Sequence, residues 1–140
     1  FDIVYSFLAF YYVPDFQKLA NDIYNLLNTG GYLLFSQEHP IVTATFDGKQ
    51  HYNKDENDNY TSFTFSNYNQ PGERDTFWYV DGVKKYHRTF SNIISALCRV
   101  GFVIDTVCEP LPIENATDFI PNILEKELIK PTFLIVKASK

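Results

Sequence analysis

The chain has 140 residues and a formal net charge of -5, with 45% hydrophobic and 21% charged residues. That balance suits one folded domain with a single core and excludes a disordered chain. Its lysines and arginines are scattered rather than gathered into the basic stripe a nucleic-acid backbone requires, and no apolar run approaches the ~20 residues of a membrane helix.

The elements follow in chain order. Ile3-Val4-Tyr5 is a short apolar run, the pattern of a strand buried on both faces. An aromatic connection, Ser6 to Val13, leads to Pro14, which disfavours helical geometry at Val13. Asp15 is placed to cap a helix whose apolar residues, Phe16, Leu19, Ala20, Ile23, Leu26 and Leu27, recur at helical spacing. Asn28-Thr29-Gly30-Gly31 should end it with a glycine C-cap. Tyr32 to Ser36 is a second apolar strand, so strand, helix and strand form a βαβ unit with parallel strands.

Residues 41–76 are rich in Asn, Asp, Tyr, Thr and Ser, with one alternating stretch at Tyr60–Phe65. A connection this long is a functional lid or a disordered segment. Phe77 to Tyr86 carries a hairpin signal, with Asp81-Gly82 at its turn. Together, 41–88 reads as an insertion. Thr89 or Ser91 can cap a second helix (Phe90, Ile93, Ile94, Leu97 and Val100 inward), ended by Gly101. A strand at Phe102–Val107, a short helix at Asn122–Leu128 and a last strand at Phe133–Val136 complete an α/β layered sheet.

Cys98 and Cys108 lack a partner at metal-site spacing and are expected to be reduced and buried. With no signal-like start, the expected location is cytoplasmic. The chain opens inside an apolar run and contains no Met, so it is expected to be a piece of a longer parent.

FDIVYS, its aromatic connection, DFQKLANDIYNLLNTGGYLLFSQEHP, YHRTFSNIISALCRVGF and the closing FLIVKA together resemble the second half of class I S-adenosylmethionine-dependent methyltransferases. LLNTGG matches that family's L-x-P-G-G segment, with Thr29 where proline is usual. The resemblance implies residues 1–140 as a partial Rossmann-like domain: the fourth to seventh strands of a seven-stranded mixed sheet, the last antiparallel, with a lid-like insertion. It implies a small-molecule methyl acceptor. It also implies S-adenosylmethionine as cofactor of the parent, since this chain lacks the glycine-rich cofactor loop and should be inactive alone. Ser6, Phe7 and Leu8 would then line the cofactor and Tyr11 would sit near the acceptor, although Phe7 to Phe10 also read as core.

Glu38-His39-Pro40 stands where the second strand runs out, the end at which open α/β sheets bind ligands. His39 could accept the acceptor's proton beside Glu38, or hydrogen-bond backbone. In Tyr86-His87-Arg88, after the hairpin, His87 is a second candidate base and Tyr86 a substrate contact. Arg88 could clamp an acceptor carboxylate or pair with an acidic residue. Trp78 could wall the pocket or pack within its hairpin. No metal site is expected. A non-catalytic binding or dimerisation domain on the same scaffold is the alternative, with a homodimer through the exposed strand at residues 1–6.

Overall fold

In the computed structural model the structure describes residues 1–78 and 80–140, with backbone alone at 77, 78, 80 and 81. Strand β1 (Ile3–Phe7) runs into a 3-10 turn (Phe10–Tyr12), helix α1 (Phe16–Leu26) and strand β2 (Tyr32–Glu38). Next come α2 (Pro40–Thr43), β3 (His51–Lys54), β4 (Tyr60–Thr64), β5 (Gly72–Trp78) and β6 (Val80–His87). The chain closes with α3 (Phe90–Val100), β7 (Val103–Cys108), a 3-10 turn (Ala116–Asp118), α4 (Ile123–Ile129) and β8 (Phe133–Ser139).

The main sheet has the order β1-β2-β8-β7. β1 and β2 are parallel, and β8 is antiparallel to both β2 and β7. The expected mixed α/β sheet with an antiparallel last strand is therefore present. Both long helices pack on one of its faces. Leu33, Phe35, Leu134, Val136 and Ala138 meet Ala20 and Ile23 of α1, Leu27 just beyond it, and Ile93, Ala96 and Leu97 of α3 in a single core. Phe10 stacks on Phe35 at 4.9 Å between ring centres and ties the turn after β1 to that core. Among the described residues, no helix is long and apolar enough to cross a membrane.

Asp15 caps α1 by accepting the Lys18 N–H at 2.8 Å. Thr89 caps α3 in a reciprocal capping box with Asn92. Gly101, at φ 116°, ends α3 in the left-handed geometry expected of it.

Several expectations need correction. β1 is not buried on both faces: Ile3, Tyr5 and Phe7 are exposed, because α1 and α3 cover only the face that Val4 shares. Leu26 is exposed on the outer side of α1. Cys98 and Cys108 are exposed too, one on the outer side of α3 and the other at the end of β7. Glycine does not cap α1, since the cap residue is Leu27 in extended geometry. The ammonium of Lys140 instead donates to the carbonyls of Tyr24 and Leu27 at 2.7 and 2.8 Å, satisfying groups that the helix end leaves unpaired. The second hairpin is longer than expected, and its strands pair Trp78 with Val80. Asp81 and Gly82 therefore lie within β6, where the register shifts, rather than at the turn.

The described residues of 41–88 include two separate hairpins, β3–β4 and β5–β6. An isolated two-stranded hairpin is marginal in water. β3–β4 gains support from α4: Lys126 lies 4.7 Å from the centre of the Tyr60 ring, and Lys130 lies 5.3 and 5.2 Å from those of Tyr52 and Phe63.

Gly31 has a steric role. A Cβ there would stand 2.8 Å from the Asp2 carbonyl oxygen and 3.0 Å from that of Asn28, both backbone atoms. Gly30 has open space but φ 81°. Gly30→Ala should cost about 1–2 kcal/mol from backbone strain alone, and Gly31→Ala should cost more because backbone must move. Urea unfolding of both variants checks the order, and equal losses would contradict it.

Candidate active site

β1 and β2 are parallel and end side by side, so the residues that follow them converge. After Phe7, Leu8 adopts φ 50°, in the left-handed region uncommon for a side chain of its size. Its N–H still donates to the Ser36 carbonyl at 2.9 Å. The 3-10 turn then places Tyr11 and Tyr12 in contact, their ring centres 4.5 Å apart. β2 ends at Glu38, directly opposite Phe133 of β8.

A pocket of about 400 Å³ lies at this corner. Leu8, Tyr11, Tyr12, Val42 and Phe133 supply its apolar wall, while Glu38, Lys85, Gln50 and Thr132 supply polar groups. Its volume lies within the range of small-molecule pockets. Lys85 reaches in from β6 and donates to both carboxylate oxygens of Glu38 at 2.8 and 2.9 Å. The pair is largely buried, with side chains 10% and 18% exposed. Behind it is a polar cavity of about 30 Å³, also lined by Thr43, Arg74 and Thr76.

An apolar groove of about 240 Å³ adjoins the pocket on the outer side of the strand ends, formed by Phe7, Leu8, Ser36, Pro110, Phe133 and Ile135. Leu8 and Phe133 line both spaces.

Of the residues singled out from the sequence, Phe7 and Leu8 line the groove, and Leu8, Tyr11 and Glu38 line the pocket. Ser6 does not join them, because alternation along β1 turns it to the opposite face from Phe7. His39 is buried beside the pocket without lining it. Its Nδ1 accepts the Ile41 N–H at 3.2 Å and its Nε2 donates to Glu109 at 3.0 Å, so the ring caps α2 and holds the segment after β7.

His87 is almost fully buried. Its Nε2 donates to the Tyr68 carbonyl at 2.8 Å and its Nδ1 accepts from the Thr43 hydroxyl at 2.8 Å. Among the described residues, Arg88 forms no ion pair with a carboxylate of the protein. It donates to the carbonyls of Val13 and, at 2.9 Å, Pro14, and its guanidinium faces the Phe16 ring at 5.3 Å. It therefore ties β6 to the turn that carries Tyr11. Tyr86 lies on the opposite face of β6 from Lys85. The Trp78 side chain lies outside the described residues.

Sequence reading missed Lys85, Tyr12, Gln50, Thr132 and Phe133. For Lys85 the signal was present in Val83-Lys84-Lys85-Tyr86-His87, where alternation puts Lys85 on the same face as His87. The others depend on long-range packing.

No family model matches the chain. An S-adenosylmethionine-dependent methyltransferase of known crystal structure from Mesorhizobium loti is 36% identical and superposes with a TM-score of 0.87, matching 100% of this chain and 62% of that one. A Listeria monocytogenes protein proposed to be such an enzyme is 29% identical, with a TM-score of 0.83, over 100% of this chain and 61% of that one. The fold is that of the C-terminal portion of the class I methyltransferases. An uncharacterized Haemophilus influenzae protein is 31% identical over 140 residues, which are 100% of this chain and 54% of that protein. The chain thus spans between about half and three fifths of these relatives. In this methyltransferase scaffold the pocket and groove both open beyond the carboxyl ends of β1 and β2.

Burial pushes the imidazoles of His39 and His87 below the ordinary histidine range, with Glu109 and the Tyr68 carbonyl pulling the other way. The folded state therefore favours neutral rings, and the unfolded chain binds these protons first as pH falls. Stability contributed by the two rings is present above about pH 6.5 and is lost as pH drops through and below it. Urea unfolding between about pH 7.5 and pH 5 should show a loss of up to about 1.4 kcal/mol per pH unit for each ring. His87→Gln should remove its share of the slope. A profile unchanged by that substitution would show that His87 is not held neutral.

Proposed function

We propose that this chain is the acceptor-side portion of an S-adenosylmethionine-dependent methyltransferase acting on a small molecule. The observation that carries this reading is the pair of adjoining spaces at the strand ends, one apolar and one partly polar, both bordered by Leu8 and Phe133. A methyl donor in one and an acceptor in the other would meet in direct, in-line contact where Leu8 and Phe133 border both spaces.

The groove fits part of the cofactor. Its lining, with Ser36 its one polar side chain, suits a flat ring or a thioether chain, and Phe7, Leu8 and Phe133 would hold it. The groove offers no carboxylate for ribose hydroxyls and no glycine loop. Bound there, the cofactor supplies a sulfonium methyl group. The chain's own residues supply orientation and a dry wall: Tyr11, Tyr12 and Phe133 exclude water, and the Glu38–Lys85 pair sets the polar end. His39, His87 and Arg88 act through position, holding α2, the insertion and the Tyr11 turn around the pocket.

Calorimetric titration of S-adenosylmethionine into this chain and into a longer protein containing it tests the reading. Binding is expected in the longer protein, and Phe7→Ser should weaken it there about tenfold by removing apolar contact. No binding to the longer protein would end the proposal.

A second reading, assembly of two copies through β1, is favoured by the position of that strand at the sheet edge with Ile3, Tyr5 and Phe7 exposed. A monomer in sedimentation at high concentration would dismiss it.

A further inference from the structure

The polar end of the pocket already holds an ammonium ion, and it is the protein's own. Lys85 Nζ donates to both oxygens of Glu38 and sits 5.2 Å from the centre of the Tyr11 ring. A carboxylate and an aromatic face converging on one cation is the arrangement that holds alkylammonium groups. Glu38 is the more exposed partner and its oxygens have lone pairs beyond those facing Lys85. Glu38 is the sole carboxylate lining the pocket among the described residues. The Tyr11 phenol stays protonated, since burial and the charge of Glu38 both push its pKa up. Arg74, which lines the small cavity behind together with Lys85, donates to the carbonyls of Gln70, Gly72, Glu73 and Ala44, so its guanidinium faces backbone.

We infer that the pocket is an amine site, taking a small molecule with a primary or secondary ammonium group on an aromatic or aliphatic body. The ammonium lies against Glu38, and the body lies along Tyr12, Leu8 and Phe133. Lys85 competes with the ligand for the same carboxylate, and a ligand carboxylate is rejected by its charge. This inference rests on the pocket being the acceptor site, and it narrows the acceptor from small molecules in general to those that carry an amine, which anchors the ligand at Glu38 as the ammonium and has no lone pair to take a methyl group in that form.

Three shape-matched probes test it on the full chain by ligand-observed NMR and calorimetry: phenethylamine, phenethyl alcohol and 3-phenylpropionate. The amine should bind at least about tenfold more tightly than either of the others, the span expected of one charge-assisted hydrogen bond with a cation–π contact. Lys85→Met should raise amine affinity, because the internal competitor is gone. Glu38→Gln should bring the amine down to the level of the alcohol. The double variant E38Q/K85M, which leaves neither charge buried alone, should show the same loss if Glu38→Gln alone does not fold. Alcohol or carboxylate binding as tightly as the amine, with Tyr12→Ala weakening all three, would overturn the amine assignment and keep the acceptor pocket. No binding by any probe would overturn both.

Discussion

Strand β8 lies between β2 and β7 and hydrogen-bonds to both, so the end of the chain completes the sheet begun near its start. Leu134, Val136 and Ala138 of β8 are fully buried at the centre of the core. Phe133, at its first position, faces the other way and forms one wall of the pocket. Even α1 depends on this end of the chain, because Lys140 satisfies its last carbonyls. Neither the core nor the pocket is complete until the final residues have docked, and such long-range pairing is slow to form.

The pocket has a second dependence, on the Glu38–Lys85 pair. Glu38 belongs to the sheet and Lys85 to the insertion, so this contact fixes one against the other. Replacing both residues of such a buried pair by apolar groups can be neutral for stability, whereas removing one leaves a buried charge uncompensated. The pair is thus better understood through placement of the hairpin and the chemistry of the pocket than through stability. Buried His87 and half-buried Arg88 act similarly: one links β6 to α2 and the segment before β5, the other links it to the turn carrying Tyr11.

Much of the fold was legible because it is local. The helical spacing of Phe16 to Leu27, the caps at Asp15 and Thr89 and the glycine at 101 are short-range signals, and each is realised. What could not be read was which face of each element would be covered. Ile3-Val4-Tyr5 is uniformly apolar, so the pattern alone could not show that both helices lie on the Val4 side. The same limit explains Leu26 and the two cysteines. At the site, Tyr11, Glu38, Phe7 and Leu8 were accessible to sequence reasoning because strand ends mark ligand sites. Both histidines drew attention as titratable groups, yet their rings are occupied by Thr43, Tyr68, Ile41 and Glu109, partners that no local pattern announces.

Lys126 of α4 and Lys130 just after it lie over Tyr52, Tyr60 and Phe63 of the β3–β4 hairpin, far away in sequence. The hairpin and α4 are accordingly one module written in two places. Substitutions in either should be accommodated by the other as sequences diverge. A transplant of this hairpin between related proteins must carry Ile123–Ile129 and Lys130 along with His51–Thr64, since a hairpin moved alone leaves its lysines behind.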